Sequence, residues 1–111
     1  MPETKTYRPL PDPLAIANSG IDGLGIFAKE KVEKGRNFGM SHLQFGSEII
    51  RTPLGGFINH SDNPNCEKVE LRFTNMDNHK MPFDFKKWNL VTIKAIKSGE
   101  ELTVKYEWYK V

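Results

Sequence analysis

The chain of 111 residues has a single cysteine, Cys66, and that scarcity removes several function classes at once. An internal disulfide is excluded, and so is a cysteine-based zinc site within one chain. Long apolar runs are missing too, and the longest are far too short to span a bilayer. No charge of one sign dominates: 16 basic residues stand against 14 acidic ones, and the net +2 signals neither nucleic acid nor membrane as a partner. The opening Met1-Pro2-Glu3-Thr4-Lys5 is polar and proline-bearing, so no secretory leader is read. These absences leave a soluble intracellular protein, cytoplasmic or nuclear, as the expectation. At this length it is expected to be one domain with a modest core.

Helical stripes are also absent. No segment repeats apolar residues at helical spacing over three turns. What is there is short alternation between turn residues. Four prolines (Pro2, Pro9, Pro11, Pro13) make residues 1–17 an extended arm that ends in a first short strand at Leu14 and Ile16. Residues 18–111 form the domain. Ile26, Phe27 and Ala28 read as a buried strand. Arg36 to Leu54 fits neither period, and only a short strand or helical turn is expected there. Val69, Leu71 and Phe73 alternate with charge, as in a half-buried strand. Val91, Ile93 and Ala95 form the expected apolar face of the next strand, after a long turn over Thr74 to Lys87. Leu102, Val104, Tyr106 and Trp108 share a face of the last one. The pattern predicts a mostly β fold of short strands with little helix.

The densest chemistry lies in Gly55-Gly56-Phe57-Ile58-Asn59-His60-Ser61-Asp62-Asn63-Pro64-Asn65-Cys66. Its polar side chains bond locally to backbone and favour a rigid loop. Such groups need partners, in the chain or in a bound polar ligand. Asn59-His60-Ser61 also fits the glycosylation pattern, but nothing else indicates secretion. Taken alone, the loop is equally a structural turn, and His60 a satisfied structural histidine.

Three ordered stretches carry a resemblance: Gly23-Leu24-Gly25-Ile26-Phe27-Ala28, then Phe57-Ile58-Asn59-His60-Ser61 with Asn63-Pro64-Asn65-Cys66, and Gly99-Glu100-Glu101-Leu102-Thr103-Val104-Lys105-Tyr106. Together they resemble the signature stretches of SET domains, over about residues 18 to 111. The resemblance implies several small β-sheets with a C-terminal pseudoknot. It also implies a protein-lysine methyltransferase that uses S-adenosylmethionine and yields S-adenosylhomocysteine. Gly23, Leu24, Gly25, Asn59 and His60 would hold the cofactor. Tyr106 would be the catalytic tyrosine and touch the cofactor as well. Phe57, Trp108 and Tyr109 would line a substrate channel. The partner would be a protein carrying the target lysine.

Methyl transfer to an amine is an in-line displacement that needs alignment rather than a protein nucleophile. Glycine lets backbone approach a ligand closely, and an asparagine amide both donates and accepts. A dry channel near a positive charge lowers the pKa of the target lysine, so no strong base is required.

The chain departs from the family pattern at Asp62, where many members place a zinc-ligating cysteine, and it has no trailing cysteine cluster. No metal is therefore expected. The substrate-recognising insert has shrunk to about Arg36 to Leu54, and Lys105 replaces a common acidic residue. A homodimer that completes the groove is one expectation from these losses. The alternative function is a catalytically degenerate SET-like β module that binds a protein partner.

Overall fold

The computed structural model describes residues 10–73 and 85–106. Within them the chain forms β1 (Leu14–Asn18), β2 (Leu24–Ala28), β3 (Asn37–Phe45), β4 (Glu48–Arg51), α1 (Pro53–Phe57), β5 (Asn59–His60), β6 (Cys66–Phe73), β7 (Phe85–Thr92) and β8 (Glu101–Val104). This is the mostly β fold of small sheets that the sequence predicts. No helix among the described residues is long and apolar enough to cross a membrane.

Two four-stranded sheets share the core, in the orders β1-β2-β8-β5 and β4-β3-β7-β6. β1 and β2 form an antiparallel hairpin in which Ser19 N donates to Gly23 O at 2.8 Å. β8 enters beside β2 antiparallel and carries β5 parallel on its other side. Leu102 and Val104 are therefore buried at 0% and 1% exposure, together with Ile26 and Ile96 at 0%. Each such side chain contributes about 1.5–3 kcal/mol by leaving water.

The segment that fits no period is a hairpin, β3 and β4, followed by a single turn of helix. Its alternation is broken by irregular register between Asn37, Met40 and His42 on β7, with Gly39 at φ 99°. A bulge adds a residue to one strand and reverses the side-chain parity beyond it. Gly46, at φ 56°, makes the turn into β4. Thr52 then ties α1 to β3, its hydroxyl donating to Met40 O at 2.7 Å.

The expected apolar face of β7 is reversed, and that of β6 is largely exposed. The buried side chains of β7 are Trp88, Leu90 and Thr92, while Val91 is only half-buried. Val69 and Leu71 are exposed at 37% and 39%. Thr92 is interior because its hydroxyl works: it donates to Glu33 O at 2.7 Å and accepts from Arg36 N at 2.9 Å. Residues 74–84 of the expected long turn lie outside the described residues.

His42 sits at 3% exposure beside Trp88, their rings edge-on at 6.4 Å. Ser41 Oγ gives its one hydrogen to Trp88 O at 3.1 Å, so at 3.0 Å it accepts from His42 Nδ1. Burial pushes the imidazole down from 6.5 to about 4, and Lys68 and Arg51 push the same way. Between those values the unfolded chain binds a proton that the folded one refuses. Stability should therefore fall as pH drops from 6.5 towards 4, by on the order of 3 kcal/mol, with no further loss from this group below 4. Urea titrations across that range should show the slope, and His42→Gln should flatten it.

Candidate active site

β5 is only two residues long, yet it fixes the site. Asn59 pairs with Thr103 and His60 with Val104 on β8, so both side chains leave the backbone at a sheet edge. Asn65 clasps β8 from beyond: its Nδ2 donates to Glu101 O at 2.9 Å and its Oδ1 accepts from Thr103 N at 2.9 Å. Ser61 N donates to Val104 O, and Asn63 Oδ1 accepts from Lys94 Nζ. Much of the polar density of this loop is thus spent within the chain.

Asn59 differs. Its Nδ2 faces Glu101 Oε2 at 2.8 Å, Ser19 Oγ at 3.1 Å, and the carbonyls of Asp22 and Leu24 at 3.2 Å each. Two of these acceptors are carbonyls and one is a carboxylate oxygen, so the amide nitrogen must point there. The amide oxygen then points the other way and accepts no hydrogen bond among the described residues. Ser19 completes the knot: its hydroxyl donates to Glu101 at 2.8 Å and accepts from Ile21 N and Asp22 N. The Glu101 carboxylate accepts from the neutral side chains of Ser19 and Asn59.

The glycines divide their work. A Cβ on Gly25 would overlap the Glu101 carboxylate and sit 3.1 Å from Asn59 Nδ2. Its missing side chain therefore makes room for the knot. Gly23 has nothing within 4 Å of its Cβ position, and its φ of 48° supplies the turn. Leu24 between them is 46% exposed and Ile21 53%, which leaves an apolar rim beside Asn59.

His60 holds Tyr106. Nδ1 accepts from Tyr106 N at 2.8 Å, so the ring proton lies on Nε2, which donates to Asp62 Oδ1 at 3.0 Å. Asp62 therefore serves as the partner that fixes this tautomer. The rings of His60 and Tyr106 lie 5.3 Å apart. Tyr106 OH donates to Ile58 O at 2.5 Å, which brings the hydroxyl to the residue preceding Asn59. The phenol is pushed above its ordinary value, chiefly by burial, with Arg51 opposing and Asp22 adding. It stays protonated at neutral pH. Lys68 Nζ stands 5.9 Å from the centre of its ring.

Gly23, Leu24, Gly25, Asn59, His60 and Tyr106 thus converge on one end of the first sheet. Phe57 ends α1 and packs against the core. Trp108 and Tyr109 lie outside the described residues. Ser19, Glu101 and Asn65 were not singled out by the sequence as site residues, although Glu101 lies inside the third stretch. Cys66 is no nucleophile: burial pushes its thiol up to about 12.

Comparison with known proteins bears on the fold and the family. No curated protein matches the chain. Among solved structures, the crystal structure of a candidate histone methyltransferase from Plasmodium falciparum is similar, with a TM-score of 0.63 at 18% identity over 88% of this chain and 97% of that one. At that identity the likeness speaks for the fold. The family model of the SET domain matches residues 40–107, more than half of the chain, and the match runs through the Asn59 loop, Glu101 and Tyr106. On that match the chain belongs to the SET-domain family.

Proposed function

We propose that the protein transfers a methyl group from S-adenosylmethionine to a lysine side chain of a protein substrate. The observation that carries this reading is the oriented Asn59 amide. Its nitrogen is held by Glu101, Ser19 and two carbonyls, which leaves its oxygen outward as an acceptor for an ammonium group. Glu101 behind it adds negative potential where a cationic ligand would lie. Ile21 and Leu24 offer apolar cover beside these groups. These residues fit the amino-acid end of S-adenosylmethionine. Bound there, the cofactor supplies the electrophile, a methyl group on a sulfonium.

The chain's own task is alignment. His60 fixes the backbone of Tyr106, and Ile58 O accepts the hydrogen bond of the phenol O–H. The phenol oxygen keeps its lone pairs for an N–H of the incoming amine. A phenol that stays protonated at neutral pH orients and does not act as the base. Its ring already holds the Lys68 ammonium, so it can attract an alkylammonium. The same reading takes β8, seated between β2 and β5 and clasped by Asn65, as the threaded C-terminal segment of a pseudoknot.

The test is transfer of labelled methyl from the cofactor to lysine-bearing proteins. Tyr106→Phe should lower kcat by about a hundredfold or more while cofactor affinity stays within a few-fold. Equal turnover in the variant would remove Tyr106 from the mechanism. Cofactor binding without transfer to any lysine would favour the partner-binding module instead.

A further inference from the structure

β6 is an outer strand of the second sheet and is hydrogen-bonded to β7 on one side. Among the described residues no strand pairs with its other edge. It is 8 residues long and leaves Val69 and Leu71 exposed at 37% and 39%. Long apolar edges of this kind are templates for another strand, and folded proteins usually cover them.

We propose that the strand covering this edge is β6 of a second copy, paired antiparallel about Leu71. The sequence of the strand selects both partner and register. Centred on Leu71, Val69 faces Phe73 twice and Glu70 faces Arg72 twice. Apolar side chains then meet on one face and opposite charges on the other, the pairs that stabilise antiparallel strands. Moving the centre to Glu70 sets Glu70 against itself and Lys68 against Arg72. Moving it to Arg72 sets Arg72 against itself. A centre at Val69 pairs Lys68 with Glu70 but places Glu67 against Leu71 and Cys66 against Arg72.

The edge is also held in shape. Arg72 Nε meets Glu70 Oε2 at 2.7 Å within the strand, which holds both charges on one face. Phe73 is stacked on Phe85 at 4.6 Å with an 11° tilt, which fixes the end of the apolar row. The contact is isologous, and its two-fold axis passes through the Leu71 pair. Two four-stranded sheets become one of eight strands. The axis stands across the sheet, so Lys68 and the neighbouring Tyr106 come to the same face in both copies.

Sedimentation over a wide concentration range tests this. Wild type should pass from monomer to dimer, and Leu71→Lys should stay monomeric with an unchanged circular dichroism spectrum. Glu70→Arg alone and Arg72→Glu alone should each weaken the dimer by about tenfold, while the double variant restores it. Mild oxidation should cross-link Leu71→Cys but not Val69→Cys, because only position 71 meets itself. Cys66, at 1% exposure, should stay silent. A wild type that is monomeric throughout would overturn the proposal and leave the edge to another partner. Failure of the double variant to rescue, or preferential cross-linking through Val69→Cys, would overturn it equally.

Discussion

Alanine at position 59 is expected to weaken S-adenosylmethionine binding by about a hundredfold and to lower the melting temperature as well. The substitution removes the acceptor oxygen that faces outward. It also removes the nitrogen that reaches Glu101 Oε2, Ser19 Oγ and the carbonyls of Asp22 and Leu24. A hydrogen bond to a charged group contributes about 1.5–3 kcal/mol, and a hundredfold change is about 2.7 kcal/mol, so one lost ligand contact suffices. The internal bonds add a stability loss. Asn59→Asp separates the two effects. It keeps an outward oxygen but turns a second oxygen onto Glu101 and two carbonyls, so it should destabilise at least as much as alanine. Calorimetric titration, run at a temperature where circular dichroism shows each variant folded, checks both. Undiminished affinity in Asn59→Ala would mean that the cofactor does not use this amide.

Gly25→Ala should be destabilising, at about 2–3 kcal/mol. The added methyl would occupy the place of the Glu101 carboxylate, beside the Ile26–Leu102 and Phe27–Glu101 pairs that join β2 to β8. The side chain of Glu101 must swing away, and Ser19 and Asn59 lose their shared acceptor. Gly23→Ala meets no neighbour but keeps an unfavourable φ of 48°, so about 1–2 kcal/mol is expected. Gly56→Ala, in α1 with nothing within 4 Å, should be neutral or slightly stabilising. Urea unfolding of the three variants gives the order. Equal cost at positions 25 and 23 would show that steric exclusion by Glu101 is not what requires glycine at 25.

The sequence made the strands legible wherever alternation was uninterrupted. β1, β2, β6 and β8 lie where turn residues bound short apolar rows. The β3–β4 hairpin was illegible because its irregular register at Gly39 breaks the period, and α1 because a single glycine-rich turn has no stripe. The face of β7 is reversed and that of β6 exposed for another reason. Period-two reading assigns the more apolar row to the core, yet β6 is an outer strand, and the interior row of β7 contains Thr92, whose hydroxyl is satisfied inside. Of the site, the three stretches gave the places of Asn59, His60 and Tyr106. They did not give the knot of Ser19, Glu101 and Asn59, which joins residues 82 and 42 positions apart in the chain. Nor did spacing reveal that Asp62 fixes the tautomer of His60. Such contacts exist only once β8 has entered between β2 and β5.

The most direct measurement is calorimetric titration of the wild-type protein with S-adenosylmethionine, with S-adenosylhomocysteine as competitor. The expected result is saturable binding at one site per chain, displaced by the competitor. No detectable binding of either compound at millimolar concentration to a protein shown to be folded would contradict the assignment of the Asn59 end of the first sheet as a cofactor site.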